Sequence, residues 1–136
     1  MPYWRLFYHL TWGTKNRMQY IDQCFEKDLF KVIAAKGIEL GAIVYAVGGI
    51  EDHIHMIAAV PPKVALSNFI GQVKGNSSHF VNHVIKPDFT FAWQSEYGVI
   101  TFGEQRLHSL VKYVHNQRNH HAAGTIIRGL EPNLKN

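Results

Sequence analysis

Cysteine is almost absent from this chain of 136 residues, because Cys24 is the only one. A single thiol excludes an intrachain disulfide and any metal site built from two thiolates of one chain. It fits a reducing compartment, so we expect a cytoplasmic protein. The chain also lacks an apolar run of about 18 residues and, at its N-terminus, the basic start and apolar middle of a secretory signal. We therefore expect neither a membrane span nor export.

Acidic residues are missing from residues 1–20 and 67–86, although the net charge of the whole chain is only +4. The basic residues in these two stretches are Arg5, Lys15, Arg17, Lys74 and Lys86. A locally basic surface favours a polyanionic partner such as nucleic acid, and the alternative is a domain that is merely slightly basic. Repeats, low-complexity segments and linkers are also missing. We therefore expect one domain over residues 1–136, with a flexible tail at 123–136.

The hydrophobic pattern predicts four main strands and three helices. Aromatic and β-branched runs indicate strands at residues 3–17, 42–48, 53–60 and 97–102, with a short extended segment at 89–93. Apolar residues at helical spacing indicate helices at residues 25–40, 66–84 and 104–121. This order predicts an α+β fold, a ferredoxin-like (RRM-like) sandwich whose antiparallel sheet carries helices on one face, plus a C-terminal catalytic helix. In that topology the first and third strands are central.

Two histidines, His53 and His55, lie two residues apart in the third predicted strand. Side chains alternate along a strand, so both imidazoles share one face while Ile54 and Met56 point to the other. Paired imidazoles on a rigid strand are suited to bind a metal ion. The pattern alone is weak, and the alternative is one surface histidine and one packed in a polar pocket.

Tyr113 and Gln117 lie four residues apart on the last predicted helix, and His120 falls on the same edge. This edge flanks the apolar stripe of the helix, so we expect these side chains to face a groove. The alternative is that Tyr113 is a half-buried packing residue and Gln117 a solvated one. Combined with the histidine pair, they suit one reaction. A divalent ion bound by the two imidazoles and the amide oxygen of Gln117 would polarise a phosphate that Tyr113 attacks.

Four motifs occur in order along the chain. They are Asp52-His53-Ile54-His55, Lys74-Gly75-Asn76-Ser77-Ser78, Trp93-Gln94-Ser95-Glu96-Tyr97-Gly98, and Tyr113-Val114-His115-Asn116-Gln117 followed by His120-His121. Together they resemble the single-tyrosine HUH transposases of bacterial insertion sequences, the IS200-like transposases. The resemblance extends from Tyr3 to His121, and four motifs are more specific than any one of them. Residues 122–136 depart from the pattern, because they lack the further amphipathic helix common in relatives.

The resemblance implies a DNA transposase that cleaves and rejoins single-stranded DNA at the ends of an insertion element. By this resemblance His53, His55 and Gln117 look like the ligands of a divalent metal ion, Mg²⁺ or Mn²⁺. Tyr113 looks like the catalytic nucleophile. It would take the 5′ phosphate as a covalent phosphotyrosine and release a 3′ hydroxyl.

The resemblance also implies two kinds of partner. One is single-stranded DNA with hairpins near the element ends, for which Lys15, Arg17 and Lys74 are candidate backbone contacts. The other is a second copy of the chain, since members of this family are homodimers. In such a dimer the tyrosine helix of one subunit can complete the site of the other, and Gly103 is placed to act as the hinge.

Three alternative functions stay open. One is a nucleic-acid-binding module of the same fold without catalysis, since residues 97–102 are faintly similar to an RNA-recognition strand. Another is a metal-dependent hydrolase, whose turnover would survive a Tyr113→Phe substitution. The third is a domesticated relative that binds or cuts hairpins without moving DNA.

Two other pairs of polar residues are weaker candidates for a functional site. His79 and His83, four residues apart on the second predicted helix, could bind zinc, but position 80 is phenylalanine, so the HExxH protease pattern fails. Glu51 and Asp52 are adjacent, so they face opposite sides of the strand. One of the two carboxylates can therefore orient a ligating histidine.

Overall fold

The computed structural model describes residues 3–123, so all but the first residue of the tail predicted at 123–136 lies outside the described residues. The strands are β1 (Phe7–Gly13), β2 (Ile43–Ile50), β3 (His53–Ala59) and β4 (Gly98–Phe102). The helices are α1 (Glu26–Glu39), α2 (Leu66–Phe80), α3 (Leu107–His115) and α4 (Gln117–Ala123).

The four strands form one antiparallel sheet in the order β2-β3-β1-β4. With α1 between β1 and β2 and α2 between β3 and β4, this is the predicted ferredoxin-like sandwich. The prediction that the first and third strands are central is also confirmed. Every residue of β3 is buried. Side chains on β3 are therefore held in place by a strand on each side and by packing on both faces.

Helices cover both faces of the sheet. α1 and α2 pack on one face around the main core, whose largest members include Trp12, Leu29, Met56 and Phe69. α3 packs on the opposite face against β2 and β3, where a smaller second core is formed by Ala46, Ile57, Leu110, Tyr113 and Val114. The buried side chains that hold α3 on the sheet are Leu110, Tyr113 and Val114. Full burial of a large apolar side chain contributes about 1.5–3 kcal/mol.

The first strand is shorter than the predicted 3–17. After Gly13 the chain enters a short 3₁₀ turn, in which Asn16 and Arg17 have left-handed φ angles of 56° and 52°. The hydroxyl of Thr14 donates to the carbonyl of Met18 at 2.6 Å and closes this turn. Consecutive left-handed residues cannot continue a strand, so β1 ends there.

The segment predicted as extended at 89–93 forms no strand and contributes one isolated β-bridge, between Trp93 and Thr14. The side chain of Asn82 explains this difference. Its amide bonds to both the N–H and the carbonyl of Phe91, at 2.8 and 2.9 Å. The backbone groups that would pair with a neighbouring strand are therefore already satisfied.

The prediction of one continuous helix over 104–121 is wrong. A 3₁₀ turn (Glu104–Arg106) precedes α3, and Asn116, with φ −104° and ψ 25°, separates α3 from α4. The N–H of Asn116 bonds to the carbonyls of Lys112 and Tyr113 and closes α3. Asparagine is a weak helix former, because its side chain competes for backbone hydrogen bonds. The helix predicted at 66–84 is also interrupted. α2 ends at Phe80, and a π-helical turn, Val81–Ile85, follows it.

Candidate active site

His53 and His55 lie side by side on β3, and both imidazoles are fully buried. They point to the face covered by α3, whereas Ile54 and Met56 point into the main core, as the alternation predicts. The ring centroids are 5.0 Å apart and the rings are inclined at 73°. The strand therefore presents two nitrogen donors in a fixed arrangement.

Asp52 binds one ring nitrogen of His53. Its Oδ1 lies 2.8 Å from Nδ1 of His53. Burial alone would raise the pKa of Asp52, but the hydrogen bond with His53 and the charges of His53 and Arg17 lower it below its ordinary value. An ionised Asp52 accepts a hydrogen bond from Nδ1 of His53, which would place the lone pair of the neutral ring on Nε2. The expectation that one of the two adjacent carboxylates orients a histidine of the pair is met by Asp52.

His55 has another histidine as its partner. Its Nδ1 lies 2.7 Å from Nε2 of His9, which is on β1 and 1% exposed. The register pairs His9 with Ile57, so His9 is a diagonal neighbour of His55 on the same face. The sequence-based prediction does not include His9. A usable signal was that His9 and Thr11 interrupt an apolar strand at every second position, which marks a polar face.

The backbone of α3 comes very close to the sheet at Gly48. The register of β2 and β3 aligns Gly48 with His55. A Cβ atom added to Gly48 would lie 2.3 Å from the carbonyl oxygen of Val114, a separation that real Cβ atoms do not show. Glycine at this position therefore lets α3 rest on β2 directly beside His55.

Tyr113 lies on the buried side of α3. Tyr113 is 4% exposed, and its ring centroid is 6.0 Å from that of His55 with the rings at 87°. The prediction that Tyr113 faces a groove is therefore wrong, because Leu110 and Val114 enclose it in the second core. The physical reason is that α3 packs on the sheet face that carries the histidines. The surface of α3 that contacts the sheet therefore includes Tyr113, which lies beside the apolar stripe of the helix.

Gln117, the first residue of α4, is 1% exposed, so the alternative of a solvated glutamine is also wrong. Its Oε1 lies 3.3 Å from Nε2 of His53 and 3.2 Å from Nε2 of His121. Its Nε2 donates to the carbonyl of Tyr113 at 3.4 Å, which turns the amide oxygen toward His53. The side chain of His120, expected on the same edge, lies outside the described part of the chain.

Arg118 fastens α4 to the rest of the domain. Its guanidinium donates to Oε1 of Glu51 at 2.6 Å and to Oε2 of Glu26 at 2.9 Å. The hydrogen bond from Arg118 lowers the pKa of Glu51 below its ordinary value, so Glu51 is ionised at neutral pH. The pair holds α4 in place, and with it the neighbouring Gln117.

These side chains fit a divalent cation. Two donors at about 2.1 Å from an octahedral ion lie about 3 Å apart when their bonds are perpendicular, and Nε2 of His53 is 3.3 Å from Oε1 of Gln117. Among the described side chains, no three histidines, cysteines or acidic residues converge as a metal site. The amide oxygen of Gln117 is therefore placed to be a further donor to a metal ion bound by the histidine pair. Imidazole suits Mn²⁺ better than Mg²⁺, which prefers oxygen.

The three predicted DNA-binding residues are in different surroundings. Lys15 is exposed in the turn after β1. Nη2 of Arg17 is 3.3 Å from Nδ1 of His53 and equally far from Oδ1 of Asp52, so this cation borders the histidine pair. Lys74 instead donates to the carbonyls of Gln94 and Glu96 at 2.6 and 3.2 Å.

Lys74 lies beside a cavity of about 460 Å³ between α2 and residues 91–97. Burial lowers its pKa, and the two carbonyls hold its ammonium against the 94–96 segment.

The rings of His79 and His83 stack with centroids 4.2 Å apart, but no third metal ligand joins them among the described side chains. Within residues 3–123, none of the helices has the length and apolar character needed to cross a membrane.

Comparison with known proteins identifies similar sequences. The family described as "Transposase IS200 like" matches residues 2–117. The ISDra2 transposase TnpA of Deinococcus radiodurans is 27% identical over 124 residues, covering 85% of this chain and 86% of that protein. The transposase for insertion sequence element IS200 of Salmonella typhimurium is 56% identical over 27 residues, which are 20% of this chain and 18% of that protein.

Two solved structures share the fold. A candidate transposase from Deinococcus radiodurans R1 superposes with a TM-score of 0.66 and 24% identity, covering 86% of this chain and 95% of its own. A REP-associated tyrosine transposase bound to a REP hairpin superposes with a TM-score of 0.62 and 16% identity, covering 93% of this chain and 76% of its own. At these identities the likeness establishes the architecture alone.

Proposed function

The chain belongs to the IS200-like transposase family, which it matches from residue 2 to residue 117, and from this membership we propose that it is a metal-dependent single-strand DNA endonuclease and strand transferase. Tyr113 is the proposed nucleophile. The proposed ligands of a divalent cation, Mg²⁺ or Mn²⁺, are His53, His55 and Gln117. The enzyme would cleave and rejoin DNA through a covalent 5′-phosphotyrosine.

One observation carries this proposal: a tyrosine and three neutral metal donors meet in a single buried cluster. The ring of Tyr113 contacts that of His55 at 6.0 Å between centroids, and Oε1 of Gln117 is 3.3 Å from Nε2 of His53. Burying polar groups costs free energy that an apolar sheet face would not require. A chemical role therefore accounts for the cluster better than a packing role.

In the proposed first step, the hydroxyl oxygen of Tyr113 attacks the phosphorus of the scissile phosphodiester. The bond from phosphorus to the 3′ oxygen breaks, the phenol proton passes to solvent, and the departing oxygen takes up a proton. The products are a 5′-phosphotyrosine ester and a 3′ hydroxyl. In the second step a 3′ hydroxyl of another strand attacks the ester, which forms a new phosphodiester and regenerates Tyr113. Because the ester preserves the bond energy, joining needs no external energy source.

The neighbouring residues would prepare these steps. A divalent cation, when bound, polarises the phosphate and stabilises the departing oxygen. Asp52 keeps Nε2 of His53 available as a ligand, and Arg17, half-exposed beside this pair, would bind an adjacent phosphate. Because Tyr113 is only 4% exposed, we expect its ring to turn toward the phosphate when DNA binds, while α3 stays docked on the sheet.

The proposed substrate is single-stranded DNA with hairpins near the ends of an insertion element, and the proposed working unit is a homodimer. Support comes from a relative by fold, the REP-associated tyrosine transposase, which is bound to a REP hairpin. Lys15 and Arg17, in one turn beside His53, would contact the DNA backbone. Lys74 would act indirectly, by fixing the 94–96 segment whose carbonyls it binds.

The test incubates the full chain with single-stranded hairpin oligonucleotides and Mn²⁺ or Mg²⁺. We expect a covalent protein–DNA adduct that survives denaturation, maps to Tyr113 by mass spectrometry and disappears with a chelator. Tyr113→Phe removes the nucleophile but keeps the ring, so it should bind DNA and form no adduct.

Three results would contradict the proposal, each in a different way. Hairpin binding without an adduct across varied hairpins and metals indicates a non-catalytic or domesticated binding module. Strand cleavage that survives Tyr113→Phe indicates a metal-dependent hydrolase. An adduct that maps elsewhere assigns the nucleophile to another residue.

A further inference from the structure

We propose that His9 is a positioning residue, which accepts a hydrogen bond from Nδ1 of His55 and thereby fixes Nε2 of His55 as the metal-binding nitrogen. The inference rests on the proposed metal site of His53, His55 and Gln117. It adds a residue from another strand that lies outside this set.

The contact allows two positions for the shared proton, Nδ1 of His55 or Nε2 of His9, and metal binding by His55 fits only the first. Nδ1 of His55 and Nε2 of His9 are 2.7 Å apart, a hydrogen-bond distance that requires one proton between the two nitrogens. A neutral imidazole has one N–H and one acceptor nitrogen. When His55 carries its proton on Nδ1, Nε2 has a lone pair for a metal ion. When the proton is on Nε2, that nitrogen cannot act as a ligand. An acceptor at His9 therefore selects the binding tautomer.

The surroundings hold the two rings in contact. His9 is 1% exposed on a strand that pairs with β3 on one side and β4 on the other, so the ring has little room to move. Asp52 plays the same part for His53, with Oδ1 2.8 Å from Nδ1. A neutral imidazole on the His55 side supplies an acceptor without burying a second negative charge.

Two substitutions separate positioning from packing. His9→Met keeps an unbranched side chain of similar length but removes the nitrogen acceptor, whereas His9→Gln brings an amide oxygen to about the same position. Loss of such an outer partner typically weakens metal binding by about 10–100-fold. We therefore expect at least a tenfold weaker Mn²⁺ affinity for His9→Met and recovery of most of it in His9→Gln. Titration followed by electron paramagnetic resonance measures the affinity, and thermal unfolding with a chelator reports stability.

A second measurement does not depend on metal. Long-range ¹H–¹⁵N correlation spectra of the metal-free full chain, recorded above the titration range of imidazole, identify which nitrogen of His55 is protonated. We expect the Nδ1–H form in the natural chain and in His9→Gln, and a mixture of forms in His9→Met. A purely structural role for His9 would leave this signature unchanged.

The outcomes separate this inference from the proposed function. His55 protonated on Nε2 in the natural chain, or a Mn²⁺ affinity equal in His9→Met and the natural chain, overturns the role of His9. If the natural chain binds no Mn²⁺ but shows His55 protonated on Nδ1 in a His9-dependent way, the positioning contact stands and the metal site fails. Should His9→Met not fold, the tautomer in the natural chain and in His9→Gln still decides the matter.

Discussion

At the residue scale, Gly48 allows a close approach of α3 to β2 that any side chain would prevent. A Cβ there would lie 2.3 Å from the carbonyl oxygen of Val114, so Gly48→Ala must push α3 away from β2. The shift moves Tyr113 relative to His55, and a displacement of about 1 Å at a reacting group can cost about 100-fold in rate. We expect adduct formation with hairpin DNA to slow by roughly this factor, measured in a single-turnover gel assay.

The matched control is Gly71→Ala on α2. A Cβ at Gly71 meets no atom within 4 Å, and alanine favours a helix over glycine, so the fold should gain stability of up to about 1 kcal/mol. Thermal unfolding of Gly71→Ala and Gly48→Ala measures the stability of each variant relative to the natural chain. Equal adduct rates for Gly48→Ala and the natural chain would show that α3 does not depend on close approach at this position.

The site residues differ in how far a single sequence can predict them. Spacing brings His53 and His55 to one strand face and Tyr113 near Gln117, because both relations are local. His9 is different, since its contact with His55 depends on how β1 and β3 are aligned, and register is not local information. The close approach at Gly48 is non-local for the same reason.

At the scale of elements, the position of α4 depends on Arg118. The Arg118→Ala substitution removes the bonds to Glu51 and Glu26 that hold α4. An ion pair of this partly exposed kind contributes about 0–1 kcal/mol, so overall stability should change little. Gln117 keeps its contacts with Tyr113 and His53 but is less firmly positioned, and we expect Mn²⁺ affinity to weaken up to about fivefold, the factor that corresponds to about 1 kcal/mol. Calorimetric titration with Mn²⁺ measures this change.

Lys36→Gln is the control for the loss of one cation. It removes the pairing of Lys36 with Glu39 within α1, which packs on the opposite face of the sheet. Its Mn²⁺ affinity should match that of the natural chain. A similar loss of Mn²⁺ affinity in both variants would indicate that net charge, rather than the ion pairs that fix α4, governs metal binding.

The order of the elements could be predicted, but their interruptions could not. Strand alternation and helical periodicity extend over many residues, so they identify β3, α1 and α2 despite errors at their ends. The break at Asn116 and the early end of β1 each depend on one or two residues with unusual backbone angles. Asparagine permits such a break without requiring it, and the ion pairs of Arg118 that accompany the break join residues far apart in the sequence.

For the whole molecule, the topology explains why the cluster can form at all. A ferredoxin-like sheet with two helices on one face leaves the other face for α3, which returns from the edge strand β4 to cover the central strand β3. The predicted helices on one face and the extra C-terminal helix agree with this arrangement. Because the tyrosine is on a returning helix and the histidines are on the sheet, the site assembles only when α3 docks.

Docking of α3 on the sheet of its own chain leads to a test of how a dimer would work. In this structure Tyr113, Leu110 and Val114 pack against the same chain's β2 and β3. We therefore expect each chain to use its own tyrosine. Co-expressed Tyr113→Phe and His53→Ala chains should then form no adduct with hairpin DNA, since neither chain has both groups. Co-expression of each variant with the natural chain controls for mixed assembly. Recovery of adduct in the double-variant mixture would instead show that α3 crosses to the partner, with Gly103 as the hinge.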